Sequence, residues 1–387
     1  MSLPFLPYGR QEIDDEDVAA VVASLRSDYL TTGPTVGAFE EALAASVGAK
    51  YAVAISNGTA ALHAACAAAG LGPGDEALVP AVTFLATANA ARYVGAEPVF
   101  VDVNPDDALI DLEDAARRLT PRTKAILPVH MTGRPADMAA VAAFARAHGL
   151  VVIEDAAHAL GASFQGHPIG DGAFAQMATF SFHPVKHITT AEGGAITTQD
   201  PALYARLSTF RTHGMVREPA QLQRPSPGPW YYEQHELGYN YRLTDVQCAL
   251  GLSQLRKLPG FLARRRALAA RYDALLAGVA GVQPAGVGHP DAESAWHLYA
   301  VLIDFEAAGV DRATVMGRLK ARGVGTQVHY IPVPEQPYYM ARGADPAHYP
   351  GARRWYARTL SLPLYPGMAD GDVERVVVAL QAALQGE

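Results

Sequence analysis

The sequence predicts an α/β fold, a largely parallel sheet between helices, followed by a smaller C-terminal α+β domain. Three observations carry this. Strand-like and helix-like segments alternate through the first two-thirds of the chain. The strand-like segments are apolar throughout rather than on alternate residues, as in strands covered on both faces. At 387 residues the chain also exceeds one ordinary core, so two domains are expected.

In order, Tyr51–Ser56 reads as a strand, Thr59–Gly70 as an Ala- and Leu-rich helix, and Glu76–Thr83 as a strand. A helix over Phe84–Val94 and a strand over Glu97–Val103 follow. Lys124–His130, a helix over Met138–His148 and Leu150–Asp155 continue the rhythm. From Gly161 the strands shorten, at Ala162–Phe164, Met177–Phe182 and Ala195–Thr198, and a polar, Pro-rich loop spans His213–His235. A helix starting at Thr244 is expected to stop at Leu258, because Pro259 and Gly260 follow. A second helix, Phe261–Leu276, places Arg264, Arg265 and Arg266 on a face read as solvated. Beyond it come a strand (Trp296–Asp304), a helix (Asp311–Arg322), a strand (Gly325–Ile331) and a helix (Asp370–Leu384). The expected division is 1–255 for the large domain and 256–387 for the small one.

Half the residues are apolar and 18% are charged, a globular composition. The net charge of −8 argues against a nucleic-acid binder. Cys66 and Cys248 are too few for a disulfide framework or a cysteine metal site, and no metal is expected. Met1–Asp14 lacks the basic-then-apolar pattern of a secretory signal. Apolar runs break well before the roughly 18 residues needed to cross a bilayer. The expected location is the cytoplasm, with no membrane partner.

Three stretches carry chemistry. In Ser56–Leu62 (SNGTAAL) a strand gives way to a small-residue turn and a helix, whose free N–H groups form a ready anion site. Gly58 lets a phosphate approach the backbone and Thr59 offers a hydroxyl. An ordinary capped helix accounts for the same residues. In Val152–His158 (VIEDAAH), Asp155 falls at the C-terminal end of a buried strand, where ligands bind in open α/β sheets. A carboxylate there needs a cation, and a protonated pyridine nitrogen serves; an Asp capping the next turn is the plain alternative. In Phe180–Gly194 (FSFHPVKHITTAEGG), Lys186 lies in a loop between His183 and His187. Most loop lysines are solvated, but one held among apolar neighbours loses its proton readily and becomes a nucleophile. Taken together, an anion-binding helix start, a strand-end Asp and a later loop lysine supply the phosphate cup, pyridinium partner and Schiff-base nitrogen of a pyridoxal 5′-phosphate (PLP) site.

Along essentially its whole length the sequence resembles the DegT-type nucleotide-sugar aminotransferases, of PLP fold type I. The matching words are LTTGP (Leu30–Pro34), SNGTAAL, TFLATANA (Thr83–Ala90), EDAAHALGA (Glu154–Ala162), SFHPVKHITTAEGG (Ser181–Gly194) and GYNYRLTD (Gly238–Asp245). The opening PYGRQ, FHPVKHITTAEGG, VHYIPV (Val328–Val333) and LSLPLYPG (Leu360–Gly367) look most like the branch acting in the pseudaminic-acid pathway. That branch aminates carbon 4 of a UDP-linked 4-keto-6-deoxy-N-acetylhexosamine, giving UDP-4-amino-4,6-dideoxy-N-acetyl-altrosamine.

The resemblance implies that Lys186 forms the Schiff base and Asp155 pairs with the pyridine nitrogen. It implies that Phe84 stacks on the cofactor ring, that Gly58, Thr59 and Ser181 hold the phosphate, and that His158 bonds the ring hydroxyl. Asn240 is expected to reach the phosphate of a neighbouring subunit's cofactor, which makes the protein a homodimer with shared sites. Thr31 and Thr32 are expected in the sugar pocket, with His329 and Tyr330 facing the sugar or diphosphate. Arg10, Arg217 and Arg242 are candidate diphosphate contacts, since a guanidinium grips phosphate as a fork; surface ion pairs account for them equally. L-Glutamate is the implied donor. Lys186 separates this chain from relatives that carry His at the Schiff-base position and remove a hydroxyl. The close rivals are perosamine-type and 3-keto sugar aminotransferases. A nicotinamide oxidoreductase would want Gly-x-Gly-x-x-Gly, and Ser56–Leu62 has one glycine. A non-catalytic regulator binding PLP or a sugar nucleotide could dispense with Lys186 or Asp155, and both are present.

Overall fold

Seven short runs of Val, Ile, Ala and Thr pair into one sheet in the computed structural model, which describes residues 4–286 and 289–386. In chain order they are β1 (Tyr51–Ile55), β2 (Glu76–Pro80), β3 (Glu97–Val101), β4 (Thr123–Ile126), β5 (Val151–Asp155), β6 (Met177–Ser181) and β7 (Gly194–Thr198). Their order across the sheet is β1-β7-β6-β5-β4-β2-β3. β3, β2, β4, β5 and β6 run parallel, while β7 is antiparallel to both β6 and β1. The mostly parallel sheet is thus as the composition of its strands predicts.

Both faces are buried, and alternate residues divide between them. Val53 and Ile55 of β1 join Ala77, Val79, Ile153 and Ile196 beneath the helices Gly58–Ala68 and Leu85–Tyr93. Ala52 and Ala54 turn the other way, joining Leu78, Val152 and Phe180 under Pro34–Val47 and Met138–His148. The alanines of Gly58–Ala68 matter here: short side chains at 60, 61, 64, 65 and 68 are all buried.

A second sheet pairs Val282–Pro284, Tyr299–Ile303 and Thr359–Leu362, all antiparallel. Its core gathers Leu268, Tyr272, Leu276, Tyr299, Val301, Leu362 and Leu380. Leu6 crosses from the chain start to join it, bridging Val324.

Three expectations are corrected. The helix does not stop at Pro259; one 32-residue helix runs from Asp245 to Leu276. Thr244 and Gln247 form a capping box at its start. Leu255, Leu258 and Leu262 bury in the large core while Leu268, Tyr272 and Leu276 bury in the small one. Packing on both sides of Pro259 outweighs the roughly 3 kcal/mol a helical proline costs. Arg265 is not solvated: it is 1% exposed and donates to the carbonyls of Trp296, His297 and Leu364 at 3.2, 3.2 and 3.0 Å. Gly325–Ile331 is not a strand. Gln327 alone of these residues bridges Ser361, and Val328–Ile331 run along a cavity wall into Pro332 and Pro334, which have no N–H to give a ladder.

Since the long helix passes through residue 255, we propose that the units 1–255 and 256–387 share it as a common element. Among the described residues no helix is long and apolar enough to cross a membrane. Replacing Arg265 with Ala leaves three buried carbonyls without their donor. Arg265→Ala should lower stability by about 3 kcal/mol or more, read from urea unfolding; a change under about 1 kcal/mol would contradict the seat described for it.

Candidate active site

The site forms where the C-terminal ends of the parallel strands face the small unit. A cavity of about 890 Å³ opens there. Its floor and walls come from Asn57–Ala60 at a helix start, Thr83–Ala86, Asp155, Ala157, His158, Thr179–Ser181 and Lys186, with His297 and Gln327–Ile331 from the small unit.

Asp155 ends β5 and is 5% exposed. It accepts from the Thr87 hydroxyl at 2.6 Å and from the Ala157 N–H at 3.2 Å. Burial nevertheless raises its carboxyl above the usual range, against the pull of those donors and of Lys186. A buried carboxylate in that condition favours a cation in the cavity. Lys186 lies in the loop that turns β6 back as β7. That loop is closed by Phe182 N–H to the Gly193 carbonyl (2.8 Å), Thr190 N–H to the Phe182 carbonyl (3.0 Å) and Lys186 N–H to the His183 carbonyl (2.8 Å). Burial of its amine brings Lys186 down from 10.5 to about 8, with Asp155 opposing the shift.

The helix Gly58–Ala68 begins at the cavity with Asn57 as its cap, accepting from Ala60 N–H at 2.8 Å. Ser181 stands against Gly58 so closely that a Cβ there would come within 2.8 Å of the Ser181 Cβ. Gly58 is therefore required by close approach, in a cradle of small groups at a positive helix end. Phe84 is 54% exposed and lines the cavity, its ring 6.0 Å from that of Tyr330. An aromatic face left that open is a stacking surface rather than a core residue. His158 is buried, its Nε2 3.2 Å from the Tyr330 hydroxyl and its Nδ1 without a hydrogen-bond partner among the described residues. Burial holds it neutral, well below its usual pKa. His329 is also buried and neutral, Nδ1 2.8 Å from the Ser361 hydroxyl.

Lys186, Asp155, Gly58, Thr59, Phe84, His158, Ser181, His329 and Tyr330 thus line one cavity. Six others do not. Thr31 and Thr32 are exposed, with Thr31 bridging Thr244 at the long helix's start. Asn240 is exposed and bridges Thr212. Arg10 and Arg217 are exposed, Arg217 lying over the Tyr232 ring, and Arg242 is half-buried away from the cavity lining. All six lie outside the regular helices and strands. Conversely, sequence reasoning missed Tyr8, Tyr241, His297 and Thr87. His297 packs against His158 with ring centroids 4.3 Å apart and planes tilted by 38°, and nothing in its local sequence distinguishes it. Thr87 lies within TFLATANA, and only the fold brings its hydroxyl to Asp155.

The residues present fit a phosphorylated pyridine aldehyde. The raised Asp155 wants a ring cation, the Gly58 cradle is shaped for an anion, and Lys186 is a buried amine of lowered basicity. These groups on an α/β sheet of this topology define a PLP-dependent enzyme of the aminotransferase kind. Residues 11–381 match the DegT/DnrJ/EryC1/StrS aminotransferase family, and the chain belongs to that family.

Relatives agree over full length. The chain is 42% identical over 384 residues to the spore coat polysaccharide biosynthesis protein SpsC of Bacillus subtilis (strain 168), covering 99% of this chain and 98% of that one. A sugar aminotransferase from Streptococcus pneumoniae in its PMP form superposes with a TM-score of 0.91 at 30% identity, over 98% and 99% of the two chains. Helicobacter pylori PseC, described as an aminotransferase involved in the biosynthesis of pseudoaminic acid, superposes at 0.90 with 30% identity, over 99% and 100%. The chain is a sugar aminotransferase that uses PLP.

Attack on the cofactor's carbonyl needs a neutral amine, and Lys186 reaches half neutrality at about pH 8. Uptake of PLP by stripped protein should therefore accelerate about tenfold per pH unit below that point and level off above it. A rate flat between roughly pH 6.5 and 9 by stopped-flow absorbance would contradict the placement of Lys186.

Proposed function

We propose that this enzyme transfers the amino group of L-glutamate to carbon 4 of a UDP-linked 4-keto-6-deoxy-N-acetylhexosamine, in a pathway of the pseudaminic-acid type. The observation that carries the reading is the convergence of Lys186, Asp155 and the Gly58 helix start on one cavity that extends to His329 and Tyr330. Its volume of about 890 Å³ leaves room beside a cofactor ring for a sugar. The similarity to PseC and the VHYIPV and LSLPLYPG segments support the choice of sugar. A perosamine-type or 3-keto sugar acceptor is the alternative, and the likeness to a spore coat polysaccharide biosynthesis protein is compatible with either.

When bound, PLP supplies an electrophilic carbon and an electron-withdrawing ring that carries the amino group between the two substrates. In this reading Asp155 holds the ring nitrogen, Phe84 covers one ring face, and His158 bonds the ring hydroxyl. Gly58, Thr59 and Ser181 bind the phosphate through backbone and hydroxyl groups. The Lys186 Nζ, half neutral at about pH 8, takes the proton from the donor's α-carbon and later delivers a proton to carbon 4 of the acceptor, serving as base and then acid. His329 and Tyr330, both neutral, line the acceptor side. Thr31, Thr32, Arg10, Arg217, Arg242 and Asn240 lie outside the single chain's cavity. We assign them to the cavity of a second subunit in a homodimer with shared sites, the arginines toward a diphosphate. The enzyme works in the cytoplasm in this account.

Glutamate should bleach the yellow holoenzyme, and one keto nucleotide sugar of a 4-keto and 3-keto panel should restore the colour. Initial-velocity plots should be parallel, as two substrates use one pocket in turn. No bleaching by glutamate, or recovery with 3-keto sugars alone, overturns the donor or the acceptor respectively. Lys186→Ala should lose on the order of a thousandfold or more in turnover while still binding cofactor; turnover near the parent rate would remove Lys186 from the chemistry.

A further inference from the structure

Asp155 is not held by backbone alone. Its carboxylate accepts from the Thr87 hydroxyl at 2.6 Å, and the Thr87 oxygen lies 2.7 Å from the hydroxyl of Thr83. All three residues are buried. Thr87 sits in the helix Leu85–Tyr93, where buried Ala86, Ala88, Ala90 and Ala91 let the helix lie close to the sheet. A threonine in a helix ordinarily bonds back to a carbonyl of the preceding turn. Here that carbonyl, of Phe84, is 3.3 Å away, so the shorter bond goes to the carboxylate.

The direction of the chain follows from counting hydrogens. A hydroxyl has one to give, and an ionised carboxylate has none. With Asp155 ionised, Thr87 donates to it and Thr83 donates to Thr87. Were Asp155 protonated, the acid would donate to Thr87, and Thr87 would have to turn to the more distant Phe84 carbonyl or to Thr83. With Asp155 ionised, each hydroxyl finds a short acceptor within the chain, at 2.7 and 2.6 Å. The same threonine also touches the backbone of Phe84, whose ring faces the cavity.

We propose that Thr87, backed by Thr83, is a positioning residue of the cofactor site that keeps Asp155 ionised and oriented toward the ring nitrogen. This rests on the reading that Asp155 pairs with that nitrogen. Without the Thr87 donor, Asp155 becomes the stronger base and draws the proton off the ring nitrogen. The ring then withdraws fewer electrons, and the nitrogen joining Lys186 to the cofactor becomes more basic. The ion pair that retains the cofactor weakens in step.

The test compares wild type, Thr87→Val, Thr87→Ser and Thr83→Val, each loaded with PLP. Two readouts are the pH midpoint of the visible absorption band and the dissociation constant for PLP by equilibrium dialysis. Thr87→Val, which keeps shape and removes the hydroxyl, should raise the midpoint by about one pH unit and weaken cofactor binding about tenfold. Thr87→Ser should stay within about twofold of wild type. A Thr87→Val protein with wild-type midpoint and affinity overturns the proposal, since a purely structural threonine would move neither. Should Thr87→Val fail to fold, Thr83→Val carries the test: a smaller rise in midpoint supports the proposal and an unchanged midpoint overturns it. A wild-type protein that takes up no PLP and has no visible band fails at the earlier reading, and the proposal falls with it.

Discussion

A carboxylate at the end of a central strand sets the terms for this molecule. Asp155 lies at the C-terminal tip of β5, in the middle of a sheet covered on both faces. Taking an unpaired carboxylate out of water costs several kcal/mol even after relaxation, on the order of the whole stability margin of a domain. Two hydrogen bonds answer part of that cost, and the carboxyl still sits above its ordinary pKa. The remaining demand is for a positive charge in the cavity. In the proposed reading a ring cation that arrives with the cofactor meets it, which would make cofactor binding and relief of a buried charge one event.

The neighbouring elements follow from where Asp155 stands. Parallel pairing of β4, β5 and β6 brings strand ends to one edge, and the helix Gly58–Ala68 begins there too. The antiparallel return of β7 forces a loop between β6 and β7 on that edge, and that loop carries Lys186. The small unit closes the other side through His297 and the Gln327–Ile331 segment. The long helix fixes the two cores relative to one another, and the buried Arg265 ties it to the backbone on either side of His297 and to Leu364.

Much of this was legible in the sequence because it rests on local rules. Apolar strand runs gave the sheet, and SNGTAAL gave the strand-turn-helix that begins at Gly58. Asp155 was readable from its place at a strand end, and Lys186 from the company it kept rather than from its own surroundings. What escaped depends on distant packing. Pro259 reads as a stop signal, but leucines on both sides of it bury in separate cores. Three consecutive arginines read as surface, but the middle one seats its guanidinium among carbonyls supplied by residues 31, 32 and 99 positions away. His297 and Tyr8 reach the cavity only through the fold. The polar candidates Thr31, Thr32, Asn240, Arg10, Arg217 and Arg242 were chosen by residue type and local sequence, which do not say whether a side chain reaches the cavity of its own chain.

The central claim is that Lys186, among all the lysines of the chain, carries the cofactor. Reducing the yellow holoenzyme with borohydride fixes the cofactor to whichever amine holds it, and peptide mass spectrometry then locates the label. The account predicts the pyridoxyl group on the peptide containing Phe182–Gly193, at Lys186, in a yield matching the loss of visible absorbance. A label on another lysine, or bleaching with no label on this peptide, would contradict it.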